Sequence, residues 1–277
     1  MKRTTSIRPE LREWILATTR AGHSTEEVLR LMKETGYDPR ESRSIVASVL
    51  KLPLAALTGH APPVAMRPRH PVAPFADAGG RQVRVSASID APVVRVLDGL
   101  LDPDECDQLI EQARPRLARA MTVDTEGRKQ VDDRRTSAGM FFRLGESPLI
   151  ERIEGRLAAL LGVPVSHGEG LQVLHYGPGQ EYEPHYDWFD PAQPGFEAVT
   201  AHGGQRVASI VMYLNTPEAG GGTGFPHAGL TVTALRGSAV YFAYDTGDTD
   251  SLHAGLPVQR GEKWIATKWL RERPFLR

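Results

Sequence analysis

The sequence predicts a mainly β domain of sandwich or jelly-roll type with flanking helices, preceded by a small helical module. Three observations predict it. Short apolar runs of strand character recur between Gly/Pro turns from about residue 82 onward, only two helical patterns interrupt them, and residues 8–51 carry helical spacing. A parallel α/β sheet would need a helix between most consecutive strands, and the chain does not offer them.

The N-terminal module reads as three short helices, with apolar positions at Leu11, Trp14, Ile15 and Thr18, then Val28, Leu31 and Met32, then Ile45, Val49 and Leu50. The second opens on Ser24-Thr25-Glu26-Glu27, a capping box in which the Ser24 hydroxyl accepts from the Glu27 amide and the Glu27 side chain returns the bond. Residues 52–80 hold Pro53, Pro62, Pro63, Pro68, Pro71 and Pro74. Proline removes backbone donors and few apolar side chains accompany it, so this stretch is expected to be a linker.

The main domain is expected over 81–277. One of its helices starts at Asp102-Pro103-Asp104-Glu105, with an N-cap carboxylate, proline at the first helical position and a capping-box glutamate. The other starts at Ser147-Pro148 and runs through Ile150, Ile153, Leu157 and Leu160 to a stop at Gly162. Strands are expected at Met140–Arg143, Leu171–Tyr176, Val207–Leu214, Leu230–Ala234, Ala239–Tyr244 and Trp264–Leu270.

With 33 basic and 34 acidic residues the 277-residue chain carries a formal net charge of -1. It has no global field to gather polyanions, so nucleic acid is not an expected partner. The single cysteine, Cys106, has no intramolecular disulfide partner and is expected to be buried filler in a helix. No apolar run reaches secretory or membrane-spanning length, which gives a cytoplasmic expectation with no membrane partner.

The chemistry concentrates in Glu181-Tyr182-Glu183-Pro184-His185-Tyr186-Asp187. Extended backbone sends alternate side chains to one face, so His185 and Asp187 can reach the same metal ion. A His-x-Asp triplet alone is weak; a distant second histidine would complete a two-His, one-carboxylate set that leaves three positions open on iron(II). His253 is the candidate. Among the other histidines, His23, His60 and His70 fall in the module or linker and are expected at a solvated surface. His167 lacks a partner at ligand spacing, His175 is expected to be packed or hydrogen-bonded, and His202 and His227 sit in turns that can neighbour the site. Ten residues beyond His253 comes Lys263. Strand parity puts Lys263, Ile265, Thr267 and Trp269 on one face, and Lys268 on the other with Trp264 and Leu270, where Lys268 is expected to be solvated.

From about residue 96 to 275 the chain resembles the prolyl 4-hydroxylase family of iron(II)- and 2-oxoglutarate-dependent dioxygenases. The matching stretches are LQVLHYGPGQEYEPHYDWF at 171–189, GQRVASIVMYLNTPEAGGGTGFP at 204–226 and SLHAGLPVQRGEKWIATKWLRERPF at 251–275, with Arg135-Thr136-Ser137 upstream. The resemblance implies a double-stranded β-helix core, with His185, Asp187 and His253 ligating iron and Lys263 pairing with the distal carboxylate of 2-oxoglutarate. It also implies that Tyr176, Thr223 and Trp269 help to hold that co-substrate, and that Tyr182, Arg206 and Trp269 lie on the peptide side of the pocket. Dioxygen, ascorbate as reductant and a proline-containing protein or peptide follow as expected partners. Charge fits: iron(II), one aspartate and dianionic 2-oxoglutarate sum to about minus one, which one buried cation offsets.

The sequence departs from the family at Gly220-Gly221-Gly222-Thr223-Gly224, where relatives usually carry an acidic residue before the threonine. A carboxylate is missing there, and the glycines are expected to loosen the loop. No Lys-Ser/Thr follows them, which argues against a phosphate loop. Two alternatives stay open: the same chemistry on a free amino acid or small metabolite, and a catalytically silent β-helix that binds protein. The oligomeric state and the job of the N-terminal module are not legible.

Overall fold

The computed structural model describes residues 7–20, 23–52, 65–119, 121–123, 129–131, 134 and 136–275. It divides into two compact units, Met1–Ala65 and Met66–Arg277. No helix among the described residues is long and apolar enough to cross a membrane.

The first unit is three helices, α1 (Pro9–Arg20), α2 (Thr25–Glu34) and α3 (Pro39–Leu50). Their apolar faces meet in a core of Ile15, Val28, Met32, Val46, Ala47 and Val49. The capping box forms as the sequence prescribes: Ser24 Oγ accepts from Glu27 N at 3.2 Å, and Glu27 Oε2 accepts from Ser24 N at 3.1 Å.

The second unit begins earlier than composition suggested. Residues 53–64 lie outside the described residues, but 66–80 are anchored rather than linking. Met66 N donates to Glu272 O, Arg69 N donates to Leu161 O, and Arg95 Nε donates to Pro71 O. His70, expected in solvent, bonds the hydroxyl of buried Tyr241 at 2.8 Å. Prolines interrupt the local ladder without preventing long-range bonds from the residues between them, and such bonds leave no mark on composition.

The strands follow in chain order: β1 (Phe75–Asp77), β2 (Gln82–Asp90), β3 (Val93–Asp98), β4 (Ala118–Arg119), β5 (Met121–Val123), β6 (Lys129–Val131) and β7 (Ala138–Phe141). Next come β8 (Gln172–Tyr176), β9 (Tyr182–His185), β10 (Arg206–Tyr213), β11 (Ala219–Gly220), β12 (Thr223–Phe225) and β13 (Leu230–Val232). The last are β14 (Ala239–Ala243), β15 (His253–Gly255), β16 (Val258–Arg260) and β17 (Lys263–Arg271). A nine-stranded antiparallel sheet runs in the order β1-β2-β3-β14-β10-β17-β8-β7-β4, and a four-stranded one in the order β13-β12-β15-β9. Their inner faces share an apolar cluster that includes Leu174, Val211, Phe225, Val240, Phe242 and Ile265. The main fold is therefore the two-layer β arrangement the sequence predicts.

The outer face of the large sheet is covered by two helices, α4 (Pro103–Ala113) and α5 (Pro148–Leu161). On α5 the expected signals operate at both ends: Ser147 Oγ accepts from Ile150 N, and Gly162 takes the left-handed conformation (φ 65°) that closes the helix. On α4 the Glu105 carboxylate accepts from Asp102 N at 3.0 Å and is itself buried against Arg156.

This helical cover overturns the expectation for Lys268. Parity is right, since Trp264, Ala266 and Leu270 pack on the helix side, but that side is a second core rather than solvent. Lys268 is 2% exposed, and its Nζ donates to Glu154 Oε1 of α5 at 2.5 Å. Its stem crosses Gly168 so closely that a Cβ there would lie 2.3 Å from Cε. Removing one member of a buried pair strands the other, at a cost of about 3–5 kcal/mol. Lys268→Ala should therefore lower the denaturation midpoint strongly, and Lys268→Met on a Glu154→Leu background should recover much of the loss.

Candidate active site

The site forms where the small sheet brings two distant segments side by side. In the β9–β15 pair His185 stands opposite His253, and Asp187 follows His185 at the strand's end. One potential ligand atom from each of the three lies within 4.8 Å of the others, and among the described residues this is the cluster of His and acidic side chains able to hold a metal ion. Each imidazole is oriented through its far nitrogen: His185 Nδ1 is 2.8 Å from Glu183 O, and His253 Nδ1 is 3.0 Å from Ser251 O. With Nδ1–H donated to a carbonyl, Nε2 keeps its lone pair for a metal. His253 is packed beside Phe242, and His185 is stacked under Tyr182 at 3.6 Å between ring centres.

Asp187 is buried and remains ionised. Burial pushes its carboxyl upward, but the facing His253, His185 and Arg206 and the Ser209 hydrogen bond outweigh that and bring it down to about 2. Two neutral imidazole nitrogens and one carboxylate oxygen on a single face are the donor set of a non-haem iron(II) facial triad. The residues fit such an ion. Their pocket encloses about 410 Å³ of empty space, counting its open mouth.

Lys263 lies on the same pocket wall, 1% exposed, with Nζ 5.2 Å from the ring centre of its cross-strand partner Tyr176. No carboxylate among the described residues makes an ion pair with it. Desolvation without a counter-charge pulls its ammonium down to about 8. A buried cation that lacks an anion, opposite a metal-ligand set, is suited to an anionic ligand that bridges the two.

The other expected residues divide. Tyr176, Tyr182, Thr223 and Trp269 line the pocket with the triad. Thr223 Oγ1 accepts from Tyr213 OH at 2.7 Å. Arg206 does not line it. Its guanidinium is held by Glu169 through bonds of 2.6 and 2.9 Å and lies 4.2 Å from the Trp269 ring centre, so it supports the pocket wall from behind. Glu169 also accepts from Arg271 at 3.0 Å. His175 bonds Glu262 and packs on Trp264, as expected of a structural histidine. Arg135 lies outside the described residues.

The glycine run also differs from expectation. Gly220 and Gly221 have φ of +74° and +72°, and a Cβ on Gly222 would approach Val232 O to 2.8 Å. Gly221 N donates to Pro257 O and Gly222 O accepts from Leu256 N, each at 2.9 Å. The glycines serve close approach: the chain crosses the Lys263 stem where a Cβ on Gly221 would lie 3.3 Å from Cδ.

Sequence reading missed Glu169, Ser209, Tyr213 and Tyr244, whereas Thr267 lines the pocket on the face where parity put it. The one available signal was Ser209, a polar residue on the inward parity of an otherwise apolar strand.

Comparison with known proteins agrees with this geometry. The sequence model of the 2OG-Fe(II) oxygenase superfamily matches residues 171–271. Fold and site thus define an iron(II)- and 2-oxoglutarate-dependent oxygenase. Among relatives, probable prolyl 4-hydroxylase 3 of Arabidopsis thaliana is 42% identical over 203 residues, covering 65% of this chain and 69% of its own. Probable prolyl 4-hydroxylase 10 of the same plant is 41% identical over 204 residues, with 65% and 69% covered. A viral collagen prolyl hydroxylase from Paramecium bursaria Chlorella virus-1, solved with 2-oxoglutarate, superposes with a TM-score of 0.51 at 31% identity, covering 64% of this chain and 95% of that one. The chain belongs to the prolyl 4-hydroxylase family.

Proposed function

We propose that the protein hydroxylates a prolyl C–H bond within a peptide, consuming 2-oxoglutarate and dioxygen and releasing succinate and carbon dioxide. The observation that carries this reading is the pairing, within one pocket, of the His185–Asp187–His253 donor set with the buried Lys263. Iron(II) held by that set would supply dioxygen activation and hydrogen abstraction. The protein's own residues position the reactants. Lys263 binds the distal carboxylate of 2-oxoglutarate, Thr223 and Tyr176 flank it, and the apolar wall of Leu174, Val211 and Ile265 keeps water from the stem of the molecule. Tyr182 and Trp269 meet the substrate side. Ascorbate as reductant and a cytoplasmic setting belong to the proposal.

The test is succinate release with iron(II) and 2-oxoglutarate, with proline-rich peptides and free amino acids compared in parallel. A peptide that gains one oxygen atom on proline supports the reading. Turnover driven only by a free amino acid replaces the substrate, and no turnover with any of them favours a silent binding module.

The two-unit division gives a further expected result. Every residue of the proposed chemistry lies after Met66, so a chain beginning at Met66 should fold and release succinate at the full-length rate. A start at residue 81, where composition placed the boundary, deletes β1, the Met66 and Arg69 anchors and the acceptor of the Arg95 bond. That shorter chain should be markedly less stable in thermal unfolding.

A further inference from the structure

The inner face of β10 carries Ser209, Val211 and Tyr213, and Ser209 has no exposed surface. A buried hydroxyl is costly unless its hydrogen bonds are made. Ser209 makes two: its Oγ is 2.6 Å from Asp187 Oδ2 and 2.8 Å from Tyr244 OH. The proton count fixes their direction. Ser209 Oγ donates to Asp187 Oδ2, so its single proton is spent there and the Tyr244 hydroxyl donates to Ser209. The string runs Tyr244 to Ser209 to Asp187, entirely among buried groups, and each bond polarises the next.

On the reading of the site as an iron centre, we infer that Ser209, backed by Tyr244, is a positioning relay: it ties one Asp187 carboxylate oxygen to the large sheet and so fixes the rotation at which the carboxylate meets the metal. Asp187 lies just past the end of β9, where no ladder restrains it. The hydrogen bond from Arg206 reaches its main-chain carbonyl, at 3.4 Å, rather than the carboxylate. The two histidines are each oriented by a local carbonyl, whereas the carboxylate takes its orientation from a different sheet. The relay thereby couples the two sheets at the metal. Ser209 stands opposite Phe242 of β14 and Trp269 of β17 in the ladder, in the centre of the large sheet. That placement makes it a stiff anchor.

The experiment is anaerobic titration of the full chain with Co(II), followed by its absorption spectrum, and with Fe(II). It uses wild type, Ser209→Ala, Tyr244→Phe and the double variant, with thermal unfolding of each. Losing an outer-shell partner lowers metal affinity roughly 10- to 100-fold. That loss is expected for Ser209→Ala, with an altered Co(II) spectrum. Tyr244→Phe should give a smaller loss that vanishes on the Ser209→Ala background, because its effect passes through Ser209. A purely structural hydroxyl would move the unfolding temperature and leave affinity and spectrum alone, which would overturn the inference. Equal effects of Tyr244→Phe on both backgrounds would also overturn it. If Ser209→Ala does not fold, unchanged affinity in Tyr244→Phe decides against the relay and weakened affinity with native unfolding decides for it. Wild type that binds no Co(II) or Fe(II) would instead remove the metal centre, a failure distinguishable from the rest.

Discussion

Replacing Asp187 with alanine or asparagine, or His253 with alanine, should abolish succinate release and metal binding together. The three candidate ligands contribute one atom each, so losing any one leaves two donors in a site whose affinity depends on three. Removing a mere outer-shell partner already costs roughly 10- to 100-fold, so a missing ligand should exceed that range. Asp187→Asn separates charge from shape. An amide keeps an acceptor for Ser209 but lacks the negative charge that faces His185, His253 and Arg206. Its unfolding temperature should stay nearer wild type than that of Asp187→Ala, while its metal binding is lost equally. His185→Ala should behave like His253→Ala in metal binding, with the added loss of the ring on which Tyr182 stacks. Metal titration and succinate release on the same preparations check all four. Normal turnover in any of them would remove that residue from the centre.

Much of this site was legible in the sequence, for identifiable reasons. His185 and Asp187 are two apart on extended backbone, so strand parity alone aims them together. Lys263 was separated from Lys268 by the same parity. What parity cannot supply is the environment of each face. Lys268 was expected in water because its covering partner, Glu154, lies 114 residues away on α5. Short strands were the other blind spot. β9, β12 and β15 hold three or four residues each, too few for an apolar period, and they are stabilised by pairing with one another. β7 starts at Ala138-Gly139, residues with little strand preference that pair across to His175 and Leu174.

The supporting shell was less legible still. Glu169, Ser209, Tyr213 and Tyr244 owe their roles to contacts with residues 10 to 102 positions away, and nothing local distinguishes them from ordinary polar residues. Arg206 was read as facing a substrate because its position matches the pocket side of the family. The structure commits its guanidinium to Glu169, a residue whose importance shows only in three dimensions. The glycine run misled in the opposite direction. Glycine permits looseness and close packing equally, and only the approach of Val232 O and the Lys263 stem shows which applies here.

Lys263→Ala should leave metal binding nearly intact and sharply raise the 2-oxoglutarate requirement. Truncating one partner of a buried charge pair costs about 2–5 kcal/mol, roughly 30- to several-thousand-fold in affinity. The pH dependence gives an independent check. Burial holds the Lys263 ammonium at about 8, below the 10.5 of a free lysine. Between those values the unfolded chain binds more protons than the folded one, so this residue makes the ligand-free protein gain stability as pH rises from 8 to 10.5. An anionic carboxylate beside Nζ favours the charged form and raises its pKa in the complex. Above pH 8 the complex must therefore take up a proton that the free protein has lost, and 2-oxoglutarate affinity should fall by up to about tenfold per pH unit. Lys263→Arg stays charged throughout, so its affinity should be flat over the same range. Its level should be only partly restored, because a planar fork replaces a compact ammonium in a pocket crossed by Gly221. Titration of the metal-loaded protein with 2-oxoglutarate at several pH values measures each of these. Equal affinity in wild type and Lys263→Ala, or a wild-type profile flat above pH 8, would place the distal carboxylate somewhere other than Lys263.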